Sequence, residues 1–275
     1  MNIIIFGPAW GTYALLELLV RFLRTLGHTV SIAPMCGHYG DHGSVQGASL
    51  QSYIQQAEEY FQKAVPSGQK AFLIGISLGS VISHHIANAF PQRVQGVVMY
   101  GSPMLGGLPK IMTVLRIICN RYYWPILRGK GSVSLTLTDC VYFLFGGIDL
   151  LDESNALLID ETAKQPESAG VLKDIMFGRI KPNGVSEIPY TVIYPSAEKF
   201  NDKEATRHFA RKQGIRKGNF AEFVLLQGSH FGLLGHASLF FAVKQAIVRS
   251  QVRSEARENP VGYFIDSPYQ IQTTA

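Results

Sequence analysis

The stretch that most constrains this chain runs from Lys70 to Ser83, KAFLIGISLGSVIS. An apolar run, Ala71 to Ile74, stops at Gly75-Ile76-Ser77-Leu78-Gly79, and a segment of helical character follows. G-x-S-x-G between a strand and a helix predicts a turn so tight that its serine takes a strained backbone conformation. Glycines must flank it, because a side chain at either place would strike the neighbouring strand or helix. Such a turn holds the Ser77 hydroxyl proud of a sheet edge, at a helix N-terminus whose amides favour developing negative charge. A glycine-rich turn with a serine N-cap would use the same letters. The strand before it, the helix after it and partners downstream favour a nucleophile elbow.

The flanking sequence repeats the strand–helix rhythm. Asn2 to Phe6 reads as a buried parallel strand, continuously apolar and rich in β-branched residues. Gly7 to Gly11 is a turn. Tyr13 to Leu26 carries apolar residues at helical spacing (Leu15, Leu18, Leu19, Phe22, Leu23, Leu26), and Gly27 ends it. Thr29 to Ala33 is the next strand, Met35 to Gly47 a Gly/His-rich loop, and Leu50 to Ala64 a helix ended by Pro66-Ser67-Gly68. After the strand into Ser77 come a helix, Val81 to Phe90, and a strand, Val94 to Tyr100. This alternation predicts βαβ units and a mostly parallel sheet flanked by helices.

The rhythm breaks after Gly101-Ser102-Pro103. Residues 104–187 contain apolar and aromatic pieces, polar breaks and a helix near Ala169 to Phe177, without strand–helix alternation. They read as an inserted, mainly helical cap. A strand from Tyr190 to Tyr194, a helix from Asp202 to Gln213, a strand from Glu222 to Leu226 and a closing helix from Ala237 to Arg253 resume the pattern. The expected organisation is a first core part over 1–103, the cap over 104–187, a second core part over 188–257 and a polar tail over 258–275.

Composition narrows the function classes. With 275 residues, 47% hydrophobic and 16% charged, the chain has ample material for a core. Net charge is +5 with no long basic block, which argues against a nucleic-acid partner. The densest basic cluster, Arg207 to Lys217, reads as a solvated helix face, with contact to an anionic surface as the sharper alternative. Three cysteines, Cys36, Cys119 and Cys140, have no metal-site spacing, and an odd number argues against a disulfide framework. A reducing, cytoplasmic location is expected. Met1 runs straight into Ile3-Ile4-Ile5-Phe6, too short for a signal-peptide core. No apolar run approaches the ~18 residues of a spanning helix, which leaves peripheral membrane contact open.

Several segments together resemble the α/β-hydrolase family. IIIFGPAW is similar to the strand that ends in the family's His-Gly, TVSIAPMCGHYGDHG to the strand entering its Gly-His-Gly loop, and Gly75 to Gly79 to its elbow. TVIYPSAE resembles the strand that carries the acid, and LLQGSHFGLLGH the strand and turn that carry the histidine. The resemblance covers roughly the first hundred residues and 186–250, in the order serine, acid, histidine.

The chemistry needs a base to take the serine proton. His230, in a Gly-Ser-His turn just beyond apolar Phe223 to Leu226, is the expected base. His84 and His85 fall on the helix after the elbow and read as core-edge or outward residues. His38 and His42 read as pocket rim or solvated loop, and His236 as helix-end surface. An acid must fix the imidazole tautomer. The resemblance implies Glu198, with Asp202, equally an N-cap, as the alternative. The amide of Leu78 should supply one oxyanion donor. Pro8 has no N–H, so the second falls to Ala9 or Trp10. Trp10, Met104 and Leu105 are expected in the substrate pocket, among cap aromatics that mostly form the cap's own core.

What the resemblance implies is a serine hydrolase of carboxylic esters or thioesters with apolar acyl or aromatic groups. It implies no metal or organic cofactor. Acyl transfer, macrocyclisation, C–C cleavage or other non-hydrolytic cyclisation on the same fold are alternatives, as is a non-catalytic ligand-binding member.

Overall fold

A computed structural model describes residues 1–41, 43–103, 119–145, 153–176, 187–197, 219–226, 228–231, 234 and 236–258. Its centre is a six-stranded sheet in the order β2-β1-β3-β4-β7-β8, with every neighbouring pair parallel. The strands are β1 (Asn2–Phe6), β2 (Thr29–Ile32), β3 (Ala71–Ile76), β4 (Val94–Tyr100), β7 (Tyr190–Pro195) and β8 (Phe220–Leu225). β3 lies wholly buried at the centre, which is why its sequence is continuously apolar rather than alternating.

From β1 the chain first moves outward to β2, then crosses back to pair β3 on the other side. Right-handed crossovers then require the intervening helices to lie on opposite faces. α1 (Tyr13–Thr25) shares a face with the closing helix α7 (Ala237–Glu258), Phe22 and Phe240 stacking at 4.8 Å. α2 (Leu50–Ala64) and α3 (Leu78–Ala89) pack together on the opposite face. Reversal of strand order opens a crevice at the carboxyl ends of β1 and β3.

Local signals set the helix ends. Thr12 caps α1 through the amide of Leu15, and Gly27 takes a left-handed φ of 81° just beyond it. Ser49 and Ser52 form a reciprocal capping box at the start of α2. Two departures from the sequence reading are informative. α3 begins at Leu78, directly after the serine, because the elbow hands the chain to the helix with no connecting loop. Leu18 and Leu26, counted in the apolar stripe of α1, are exposed.

The segment between β4 and β7 is mainly helical where described: α4 (Trp124–Arg128), α5 (Glu153–Lys164) and α6 (Ala169–Met176). It also contains a two-stranded antiparallel sheet the sequence did not announce, β5 (Ser132–Val133) with β6 (Glu167–Ser168). Two residues per strand are too few to make a readable period. Tyr123 and Phe145 are buried as expected of a local core, whereas Tyr122, Trp124 and Tyr142 face solvent.

β6 fastens this segment to the loop after β2. Ser168 Oγ donates to the Ala48 carbonyl at 2.5 Å. Glu167 is fully buried; its Oε1 accepts from Tyr53 Oη and from the Ser168 amide, both at 2.7 Å. His38 Nε2 stands 3.3 Å from Glu167 Oε2 with both side chains inaccessible to solvent. The reading of His38 as pocket rim or solvated loop is therefore corrected: a buried carboxylate draws it inward. Burial, and then the charge of Glu167, push the Tyr53 phenol far above its usual range. Removing this carboxylate takes the acceptor from the buried Ser168 amide and the counter-group from His38, and leaves Tyr53 only the Cys36 carbonyl at 3.2 Å. Glu167→Ala should thus cost about 3 kcal/mol or more, measured by urea unfolding. A loss below ~1 kcal/mol would mean the contact is not structural.

Candidate active site

Ser77 adopts φ 50°, ψ −116°, the strained conformation the motif predicts. Its side chain makes no capping bond to α3, so the N-cap alternative does not describe it. The Ser77 amide donates to the Tyr100 carbonyl at 2.8 Å, pinning the turn to the end of β4. Both flanking glycines are needed for space. A Cβ on Gly75 would meet Ser80 and the Gly79 carbonyl of α3, and a Cβ on Gly79 would overlap the Phe6 carbonyl at the end of β1. α3 therefore lies with its first turn against the end of β1, bringing the loop after β1 beside the serine.

His230 Nε2 lies 2.8 Å from Ser77 Oγ, both residues buried. β8 is three strands from β3, roughly 14 Å at the usual spacing, so the histidine turn has to travel back across the sheet edge. Tyr100 at the end of β4 marks its path by donating to the Ser229 carbonyl at 3.1 Å. The Phe231 amide donates to the Leu144 carbonyl at 2.7 Å, tying the turn to the segment between β4 and β7.

The competing histidines have other partners. His84 is buried against Tyr190, with Nδ1 3.0 Å from the Tyr190 hydroxyl. His85 Nε2 pairs with Glu58 at 2.7 Å, and His236 Nδ1 meets Ser238 Oγ at the start of α7. His42, Glu198 and Asp202 lie outside the described residues, as do Met104 and Leu105.

As the first residue of α3, Leu78 presents an amide with no carbonyl one turn earlier to accept it. Ala9 and Trp10 belong to a turn closed by Gly11 N–H to the Pro8 carbonyl at 3.2 Å. Trp10 takes a left-handed φ of 55°, and its indole Nε1 donates to the Val133 carbonyl of β5 at 2.9 Å.

Ala9, Trp10, Ser77, Leu78 and His230 line one cavity. Its remaining walls are Pro103, Leu144, Leu172, Ile175, Met176 and Phe231. Apart from the serine and the histidine the lining is apolar. The sequence reading missed the α6 wall. Leu172, Ile175 and Met176 repeat at helical spacing, which was visible, but which face meets the serine was not. Pro103 stands just before the expected Met104.

No protein-family model matches the sequence, and no curated protein matches it. Solved structures do resemble the fold. A monoglyceride lipase from Saccharomyces cerevisiae superposes with a TM-score of 0.71 at 12% identity, covering 90% of this chain and 86% of its own. A methylesterase from Arabidopsis gives 0.67 at 13% identity, covering 90% of this chain and 99% of its own. An extracellular α/β-hydrolase from a Paenibacillus species gives 0.64 at 15%, covering 91% and 98%. Identities this low carry the fold and nothing finer, and the architecture they share with this chain is the α/β-hydrolase fold.

Proposed function

We propose that this protein is a serine hydrolase of carboxylic esters or thioesters whose acyl or aromatic group is apolar. The observation that carries the reading is the 2.8 Å contact between Ser77 Oγ and His230 Nε2 at the floor of an apolar cavity. A merely structural serine has no need of a strained backbone and an imidazole together.

In this reading His230 removes the Ser77 proton as Oγ attacks the carbonyl carbon. The tetrahedral oxyanion is held by the Leu78 amide and by a second amide from the Ala9-Trp10 turn. His230 then protonates the leaving alcohol or thiol, and water, activated by the same imidazole, releases the acid. Glu198 is the acid assigned to orient His230. Ala197, the residue before it, donates its amide to the Gly228 carbonyl at 2.9 Å, two residues ahead of His230, which supports Glu198, the next residue in the chain, over Asp202. Residues 104–187 serve as a cap whose α6 wall receives the apolar group through Leu172, Ile175 and Met176. A cytoplasmic location fits the free thiols of Cys36, Cys119 and Cys140.

Labelling with a fluorophosphonate tests the reading. The native protein should be modified on Ser77 and turn over p-nitrophenyl esters, with both properties lost in Ser77→Ala. Equal labelling of the two proteins, or none of the native one, would exclude the nucleophile. A series of esters of graded acyl length should then show a preference for apolar chains.

A further inference from the structure

The turn that must supply the second oxyanion donor is held from behind by a residue outside the proposed catalytic set. Tyr39, in the loop after β2, is buried, and its hydroxyl donates to the Pro8 carbonyl at 3.0 Å. Its backbone is itself in the left-handed region, φ 51°. Among the described residues only Trp10, Tyr39 and Ser77 take positive φ without being glycine. Two of the three line the cavity and the third supports it, a concentration of strain expected at a working site.

The surroundings are shaped to admit this phenol. A Cβ on Gly7 would collide with the Tyr39 ring, and a Cβ on Gly11 with its hydroxyl. Both glycines of Gly7-Pro8-Ala9-Trp10-Gly11 thus leave room for one side chain. Tyr39 is anchored in turn: Tyr13 Oη donates to its carbonyl at 2.6 Å and the Tyr13 ring meets the Tyr39 ring edge-on at 5.8 Å. Burial, then the nearby Glu167 and Tyr13, push the phenol well above its ordinary range, so it remains a donor throughout the working pH range.

Peptide geometry links this bond to the reaction. No peptide among the described residues is cis, so the Ala9 N–H points opposite to the Pro8 carbonyl. Holding that carbonyl on Tyr39 therefore aims the Ala9 N–H away from the phenol, and Ala9 lines the cavity with Ser77 and Leu78. We propose that Tyr39 is a positioning residue for the oxyanion site: by holding the Pro8 carbonyl it sets the Ala9 N–H, rather than that of Trp10, as the second donor. The inference rests on the serine-hydrolase reading above.

Tyr39→Phe keeps the ring and the space it fills while removing the bond. With p-nitrophenyl butyrate, kcat should fall about 10-fold while KM stays within about twofold of the native value. The inhibition constant of a trifluoromethyl ketone of the same chain, which forms a tetrahedral adduct on serine, should rise by the same factor as kcat falls. That of the corresponding secondary alcohol, which forms none, should not move. Loss of affinity for all ligands alike, or kcat and ketone inhibition both within twofold of native, overturns the proposal. If Tyr39→Phe does not fold, Tyr13→Phe, at a half-exposed position, removes the bond that anchors Tyr39 and should give the same split at smaller size; no split overturns the proposal as well. A native protein that neither takes the fluorophosphonate nor binds the ketone removes the serine-hydrolase reading itself. A native protein that does both, beside an unchanged Tyr39→Phe, removes only the role of Tyr39.

Discussion

Replacing His230 with alanine is expected to lower kcat on p-nitrophenyl esters by roughly ten-thousand-fold or more, with little change in KM. The serine hydroxyl alone is a weak nucleophile at neutral pH, and the His230 imidazole proposed to activate it stands 2.8 Å away. On the proposal that Ser77 and His230 act as a unit, the double variant Ser77→Ala/His230→Ala should be no slower than the worse single variant. Fluorophosphonate labelling should fall in parallel in His230→Ala, since the same activated oxygen attacks phosphorus. Multiplicative losses in the double variant would mean that the two residues serve separate functions. Retention of more than about a tenth of native kcat in His230→Ala would remove the imidazole from the mechanism.

The second large effect is expected at Gly79. A Cβ there meets backbone, the Phe6 carbonyl carbon and oxygen and the Gly7 carbonyl, and backbone cannot rotate aside as a side chain can. Gly79→Ala should therefore cost about 3 kcal/mol or more. For a chain of this size that is a melting temperature lower by roughly 6–10 °C. It should also depress kcat, because relief of the overlap moves the first turn of α3 away from the loop after β1 and separates the amides proposed as oxyanion donors. Gly27→Ala is the control. Gly27 has φ 81° with open space around it, so alanine there meets only backbone strain of about 1 kcal/mol and lies far in sequence from Ser77 and His230. A Gly79→Ala protein that melts no lower than Gly27→Ala and keeps native kcat would contradict the packing described for the elbow.

What was legible before any coordinates follows from local physics. The run from Asn2 to Phe6, the helix from Leu50 to Ala64 and the strand from Val94 to Tyr100 fall where period and composition placed them, because burial of a central parallel strand and of one helix face leaves a strong pattern. Ser77 was legible for a different reason: G-x-S-x-G in its setting is a statement about space, and Gly75 and Gly79 are each hemmed in by neighbouring atoms. Residues 104–187 were legible as a mainly helical interruption with a helix near Ala169, and no further. Their two-residue strands carry no period, and their contacts run to distant parts of the chain, two turns and α2: Trp10 to Val133, Phe231 to Leu144 and Tyr53 to Glu167.

The sequence by itself determined the layered strand–helix scaffold, the strained serine at its rim and the shortlist from which a base is drawn, since each of these depends on residues adjacent in the chain. Only the tertiary structure decided that His230, and not His38 or His84, reaches that serine, and that Tyr39 reaches the Pro8 carbonyl. Those outcomes depend on how β8 and the loops after β1 and β2 return over the sheet edge. A linear string of residues holds no direct record of that crossing, because it is set by packing among segments as much as 153 residues apart.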